Sequence, residues 1–160
     1  MVDYKKYKDL VYKIIGAAME VHSEMNYGLE EAVYNECLCI ELEDRGIMAV
    51  SEEKLPVYYK DRLLQKYYRM DVVVDDVVVE LKSVKELIPQ HRAQLFNYLR
   101  ITKKPVGLLI NFGRESLQGE RYAYIKETNE CVLLDKNMEL LYEDVDWEYE
   151  EPERSEEINS

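Results

Sequence analysis

Between Asp71 and Lys82 the chain reads D-V-V-V-D-D-V-V-V-E-L-K, two valine triplets about a pair of aspartates, with one acid upstream and Glu-Leu-Lys downstream. Runs of β-branched residues favour strands, and the polar Asp75-Asp76 break between them is a turn signal. Residues 66 to 84 therefore read as one hairpin. With a two-residue loop at Asp75 and Asp76, Val74 faces Val77, Val73 faces Val78, Val72 faces Val79, and Asp71 falls opposite Glu80. Two carboxylates are then cross-strand neighbours, roughly 5 Å apart between Cβ atoms. Unbroken valines imply a sheet covered on both faces, where the repulsion between these acids is poorly screened.

Side chains alternate along a strand, so Glu80 and Lys82 share a face while Leu81 points the other way. That face carries Asp71, Glu80 and Lys82 together. Hard oxygen ligands suit Mg²⁺ or Mn²⁺, and Mg²⁺ commonly takes one or two protein carboxylates while keeping water and substrate phosphate in its other positions. A metal-activated water with an ammonium beside it is the equipment for phosphodiester hydrolysis. A solvated strand face carrying a Glu–Lys surface pair has the same pattern, and the segment alone does not separate the two readings.

The chain of 160 residues is long enough for a single domain with a real core, placed at residues 1–138. Its net charge of −12 argues against a polyanionic partner until its distribution is examined. Residues 139–160 hold ten acids and one base, a net of −9, which leaves 23 acids and 20 bases, or −3, for residues 1–138. The acidic C-terminal tail is expected to be mobile beyond Trp147 and to serve solubility, or else to compete with nucleic acid for a basic cleft. No apolar run reaches membrane-spanning length and the start lacks a secretory pattern, so a cytoplasmic location is expected. Cys37, Cys39 and Cys131 form neither a disulfide framework nor a zinc motif and are expected to be buried thiols.

Tyr4, Tyr7, Val11, Ile14, Ile15, Ala18 and Val21 recur at helical spacing over residues 4–24. A second helix is predicted over 29–45, with Val33, Cys37, Ile40 and Leu42 on its buried side and Gly46 closing it. Strands follow at 48–59, 64–74 and 77–84, then a helix opened by Pro89 and running to Thr102, then a buried strand at 106–112. The pattern also allows a last hairpin about Asn129, with strands at 119–126 and 131–135. The order α-α-β-β-β-α-β, with that optional hairpin, describes an α/β fold whose helices cover a mixed sheet. No Gly-rich phosphate loop, nucleophile elbow or His-Glu-x-x-His motif is present. Nor does any segment stand out as a basic stripe or a DNA-reading appendage.

Glu31 lies in the first turn of the second helix with Tyr34 nearly one turn on; the helix dipole and core packing explain that pair as readily as a site does. His91, Gln94 and Tyr98 form a polar stripe on the third helix, which could bind phosphate, position water or tie the helix to loops. His22 reads as a cap or packing residue.

IIGAAMEVH at 14–22, Gly28-x-x-Glu31-x-x-Tyr34, Asp71, Glu80-Leu-Lys82, HRAQLFNYL at 91–99 and VGLLINFG at 106–113 occur in unbroken order over residues 5–113. Together they resemble the GxxExxY family of the PD-(D/E)xK nuclease superfamily, with Met70-Asp71 where that pattern has Pro-Asp. The resemblance implies a restriction-endonuclease-like core. It also implies that Asp71 and Glu80 hold the metal with the Leu81 backbone carbonyl, that Glu31 completes or hydrogen-bonds that site, that Lys82 serves the attacking water, and that Gln94 stands beside the metal or scissile phosphate.

The expected activity is a Mg²⁺- or Mn²⁺-dependent nuclease, with DNA favoured over RNA by superfamily analogy. Without a reading appendage, cutting is expected to be directed by structure or ends, by a homodimer or through a recruiting partner. A non-catalytic nucleic-acid-binding or protein-interaction module is the alternative, and a phosphoesterase acting on small substrates a third.

Overall fold

The computed structural model describes residues 2–141 and the backbone of residues 156–158. A single 3-10 turn, Tyr4–Tyr7, leads into α1 (Lys8–Met25), followed by α2 (Glu31–Asp44). Three strands come next: β1 (Val50–Tyr59), β2 (Arg62–Val74) and β3 (Val77–Lys82). Helix α3 (Pro89–Thr102) crosses to β4 (Val106–Asn111), then β5 (Leu117–Ile125) and β6 (Glu130–Leu134), with β7 at Glu156–Ile158. The sheet order is β1-β2-β3-β4-β5-β6, with β7 paired to β5. β3 and β4 are parallel, as the intervening α3 requires, and the other pairs are antiparallel.

The expected mixed sheet flanked by helices is therefore present, and the last hairpin forms with Asn129 at φ +56° in its turn. The acidic tail falls outside the described residues at 142–155 and 159–160. No helix among the described residues is long and apolar enough to cross a membrane.

The valine hairpin closes as its pattern dictates. Val72↔Val79, Val73↔Val78 and Val74↔Val77 are paired, and Asp75 takes φ +49° in the two-residue turn. Alternation sends Val72, Val74, Val77 and Val79 into one core with α1 and α2, and Val73 and Val78 into another with Leu95, Tyr98 and Leu99 of α3. Burial on both faces explains why these strands are valine throughout rather than alternating with polar residues. Every apolar position expected on the buried side of the first helical segment is buried.

The expected stripe on α2 holds at Leu42 and fails at the other three positions. Tyr34, Asn35, Leu38 and Leu42 are buried, whereas Ile40 is 54% exposed and Val33 and Cys37 are half-buried. The line i, i+4, i+8 through Tyr34, Leu38 and Leu42 sets the face, and Asn35 is drawn in beside it because the site provides partners for its amide. All three thiols are half-buried rather than buried.

Candidate active site

β3 carries Glu80 and Lys82 on the side of Val78, under α3. The β2–β3 pairing stops at Val72↔Val79, so the next residue back, Asp71, is free to use its side chain: Oδ2 accepts from the Leu81 N–H at 2.9 Å. In return the Asp71 N–H approaches Glu80 Oε1 at 3.4 Å. The sequence-derived register therefore continues one step past the strand pairing and brings the two acids together.

Glu80 is only 1% exposed. Burial, with the Asp71 carboxylate next to it, pushes Glu80 up to about 9, although Lys82 pulls it down. Asp71 is also raised, chiefly by burial, with the Leu81 N–H and Lys82 opposing and the charges of Glu52 and Glu31 adding to the rise. Two acids that resist joint ionisation in a desolvated place are held apart from their ordinary behaviour by each other, and a cation would relieve both.

The Lys82 ammonium donates to Gln94 Oε1 at 2.9 Å, and Gln94 Nε2 donates to the Tyr98 hydroxyl at 2.9 Å. Gln94 and Tyr98 are one helical turn apart, so α3 lays a fixed amide over the lysine. His91, expected on the same polar stripe, turns to the start of α3 instead: its Nδ1 accepts from the Ile88 N–H at 3.1 Å. Burial and then Lys82 lower its pKa, which keeps the ring neutral for that role. His22 likewise bonds a loop, its Nε2 donating to the Arg114 carbonyl at 2.8 Å.

Glu31 is the first residue of α2 and is exposed. The loop before it is fixed by the other two members of its motif. Gly28 sits at φ +89°, and the buried Tyr34 hydroxyl accepts from the Leu29 N–H at 3.0 Å and donates to the Asn26 carbonyl at 2.7 Å. The Tyr34 ring stacks on Phe112 at 4.4 Å. Past the lysine, buried Asn111 brackets Val84, accepting its N–H at 3.0 Å and donating to its carbonyl at 2.9 Å.

Sequence reading did not single out Asn35 or Glu52. Asn35 Nδ2 donates to the Asp71 carbonyl at 3.0 Å and to Glu52 Oε1 at 3.3 Å, while its Oδ1 accepts from Ser51 at 2.8 Å. Glu52 occupies the register position opposite Asp71 and takes φ +55° there, a strained conformation for a non-glycine residue. An Asn on the sheet-facing side of a helix was the available signal for the first; the strand pattern held none for the second.

The family model that matches this chain describes the PD-(D/E)XK nuclease superfamily and covers residues 8–123. The chain belongs to that superfamily. No curated protein and no solved structure matches it. Superfamily members are in general nucleases that need a divalent metal. Among the described residues no group of three or more His, Cys, Asp or Glu side chains stands ready to hold an ion. The donor set present, two facing carboxylates, nonetheless fits a hard cation that takes only one or two protein ligands, and does not fit a fully caged or soft one.

Proposed function

We propose that the chain is a divalent-metal-dependent nuclease of the GxxExxY group, hydrolysing phosphodiester bonds of DNA in preference to RNA. The observation that carries this reading is the pairing of half-buried Asp71 with buried Glu80, with Lys82 on the same face and Gln94 fixed over it. Asp71 and Glu80 would hold Mg²⁺ or Mn²⁺, with the Leu81 carbonyl and Glu31 completing the set. The bound ion supplies charge neutralisation at the phosphate and a more acidic attacking water. Lys82 places an ammonium where charge develops on the phosphate, and its bond to Gln94 Oε1 restricts it to that position. Tyr98 in turn holds the amide so that Gln94 presents its oxygen to Lys82.

The test is cleavage of labelled linear, branched and single-stranded DNA and of RNA, with Mg²⁺, Mn²⁺ or chelator. Metal-dependent cutting that Glu80→Ala and Lys82→Ala each abolish, in variants that still melt cooperatively, is the expected result. Cutting retained in both variants would remove the site from consideration. The non-catalytic module keeps one observation in its favour, the lack of a third acid grouped with the pair among the described residues; binding without cleavage under every metal would select it.

A further inference from the structure

Only Val72–Val74 of β2 pair with β3, so the earlier part of β2 and its β1 partner run past the sheet as a two-stranded ribbon. Every residue of β2 from Arg62 to Arg69 is exposed. Leu55 tucks into the core beside α3 and anchors the ribbon near the sheet, while its outer part, with Tyr58, Tyr59 and Arg62–Arg69, stays in solvent, where a two-stranded ribbon is at best marginally stable. Its charge is opposite to that of the chain. Residues 53–70 hold Lys54, Lys60, Arg62, Lys66 and Arg69 against Glu53 and Asp61, a net of +3 within a chain of −12.

Tyrosines interleave with these cations. Tyr58, Tyr59, Tyr67 and Tyr68 are 39 to 64% exposed. Lys54 Nζ lies 4.2 Å from the Tyr67 ring centroid, and Lys66 Nζ lies 5.3 Å from that of Tyr68. We propose that this ribbon is the docking surface for a single-stranded stretch of nucleic acid, which it leads to the Asp71–Glu80–Lys82 site. Binding needs only the ribbon; delivery to a cleaving site rests on the nuclease reading above. The cations answer the phosphates, and the tyrosines decide the strandedness. A duplex hides the faces of its bases and would engage the cations alone, whereas unpaired bases stack on exposed rings. The ribbon is also continuous with the site. The Tyr68 ring lies 5.9 Å from that of Tyr98, whose hydroxyl accepts from Gln94, the residue that holds Lys82.

Fluorescence anisotropy in EDTA, where no metal-dependent cutting occurs, tests the binding. The full chain is titrated against a labelled oligothymidylate and a blunt duplex of equal length. The single strand is expected to bind more tightly, and Tyr58→Ala/Tyr59→Ala to weaken it by about 10-fold or more while leaving the duplex unchanged. Lys60→Ala/Arg62→Ala is expected to lower the slope of log affinity against log salt by about 1.4. Circular-dichroism melts of both variants should match wild type, since the altered side chains are exposed; a third variant, Lys66→Ala, replaces either that does not. Single-strand affinity unchanged in the variants overturns the proposal. So does equal duplex affinity with a neutral tyrosine variant, or a dimer lost in light scattering with affinity unchanged, which would assign the ribbon to a second copy. Ribbon-dependent binding by a protein that never cleaves with Mg²⁺ or Mn²⁺ would sink the nuclease reading and leave the ribbon proposal standing. Cleavage with ribbon-independent binding would do the reverse.

Discussion

Replacing Glu80 by glutamine should stabilise the metal-free protein, and increasingly so as the pH rises. Glu80 sits near 9 in the folded chain against an ordinary value of 4.5, because burial and the adjacent Asp71 disfavour its charge. Between those values the unfolded chain has released the proton that the folded chain retains. The stability contributed by neutral Glu80 is therefore complete below about 4.5 and is lost progressively as the pH climbs to about 9. At pH 8 the loss spans about 3.5 pH units, or at most about 5 kcal/mol. Asp71 is raised too, so its contribution has the same sign. A neutral amide at position 80 avoids the loss and can still accept from the Asp71 N–H. A gain of roughly 2–4 kcal/mol at pH 8 is expected, or about 5–15 °C in Tm, falling to nothing near pH 4.5. The assay is a set of thermal melts of wild type and Glu80→Gln in EDTA from pH 5 to pH 8. Adding Mg²⁺ should then stabilise wild type, more at pH 8 than at pH 6, because the ion needs both acids deprotonated; the variant should respond little. Parallel Tm curves for the two proteins across this range, or a lower Tm for the variant at pH 8, would refute the reasoning.

Tyr34→Phe removes both hydroxyl bonds that pin the loop before Glu31, and should cost roughly 1–3 kcal/mol in urea denaturation while lowering cleavage at temperatures where the variant is fully folded. Gly113→Ala would drive a Cβ into the Val84 carbonyl oxygen and nitrogen, far inside van der Waals contact. Backbone cannot yield as a side chain can, so a loss of about 3 kcal/mol or more is expected, with faster amide exchange at Val84. Arg92→Ala takes the guanidinium that donates to buried Glu120 at 2.8 and 2.9 Å, leaving the Tyr122 hydroxyl still donating at 2.6 Å, and should cost roughly 3–5 kcal/mol by chemical denaturation. Arg92→Met with Glu120→Leu should recover part of that loss, since no charge is then left buried although the Tyr122 hydroxyl loses its Glu120 acceptor.

The parts of this fold that are legible in the sequence are those where a local pattern and the tertiary environment ask for the same thing. The valine triplets need burial on both faces and a two-residue turn, and they have both, so the register follows from the residues alone. Helix α1 shows its buried face as a plain apolar stripe. Helix α2 does not, because two of the residues that face the sheet are polar in name: Tyr34 and Asn35 are buried through hydrogen bonds to Asn26, Leu29, Asp71 and Ser51 that no spacing rule could reveal. Glu52 was hidden for a similar reason, since its importance comes from a positive φ opposite Asp71 and not from its place in a motif. The basic ribbon was missed because its charges are spread over two strands. Five cations dispersed along residues 53–70 become one patch only when Lys54 pairs with Arg69 and Tyr59 with Arg62 across the hairpin.

One break in the sheet organises both the chemistry and the proposed substrate path. Had the β2–β3 pairing continued, Met70 and Leu81 would exchange backbone bonds, Asp71 and Glu80 would form the non-hydrogen-bonded pair before them, and the Leu81 N–H would have no need of a side-chain acceptor. The pairing ends at Val72↔Val79, and the two strands then have different tasks. β3 stays in the sheet, held by β4 as far as Lys82↔Asn111, which fixes Glu80 and Lys82 rigidly under α3. β2 leaves with β1, and Asp71 is the residue at which it leaves, tied to the sheet by Leu81 and to α2 by Asn35. Asp71, at the parting of the two strands, is half-buried and raised in pKa chiefly by that burial, and it is there that the proposed reading brings the phosphate. The ribbon springs from the same point, so a strand bound along it reaches the acids without a separate lid or domain.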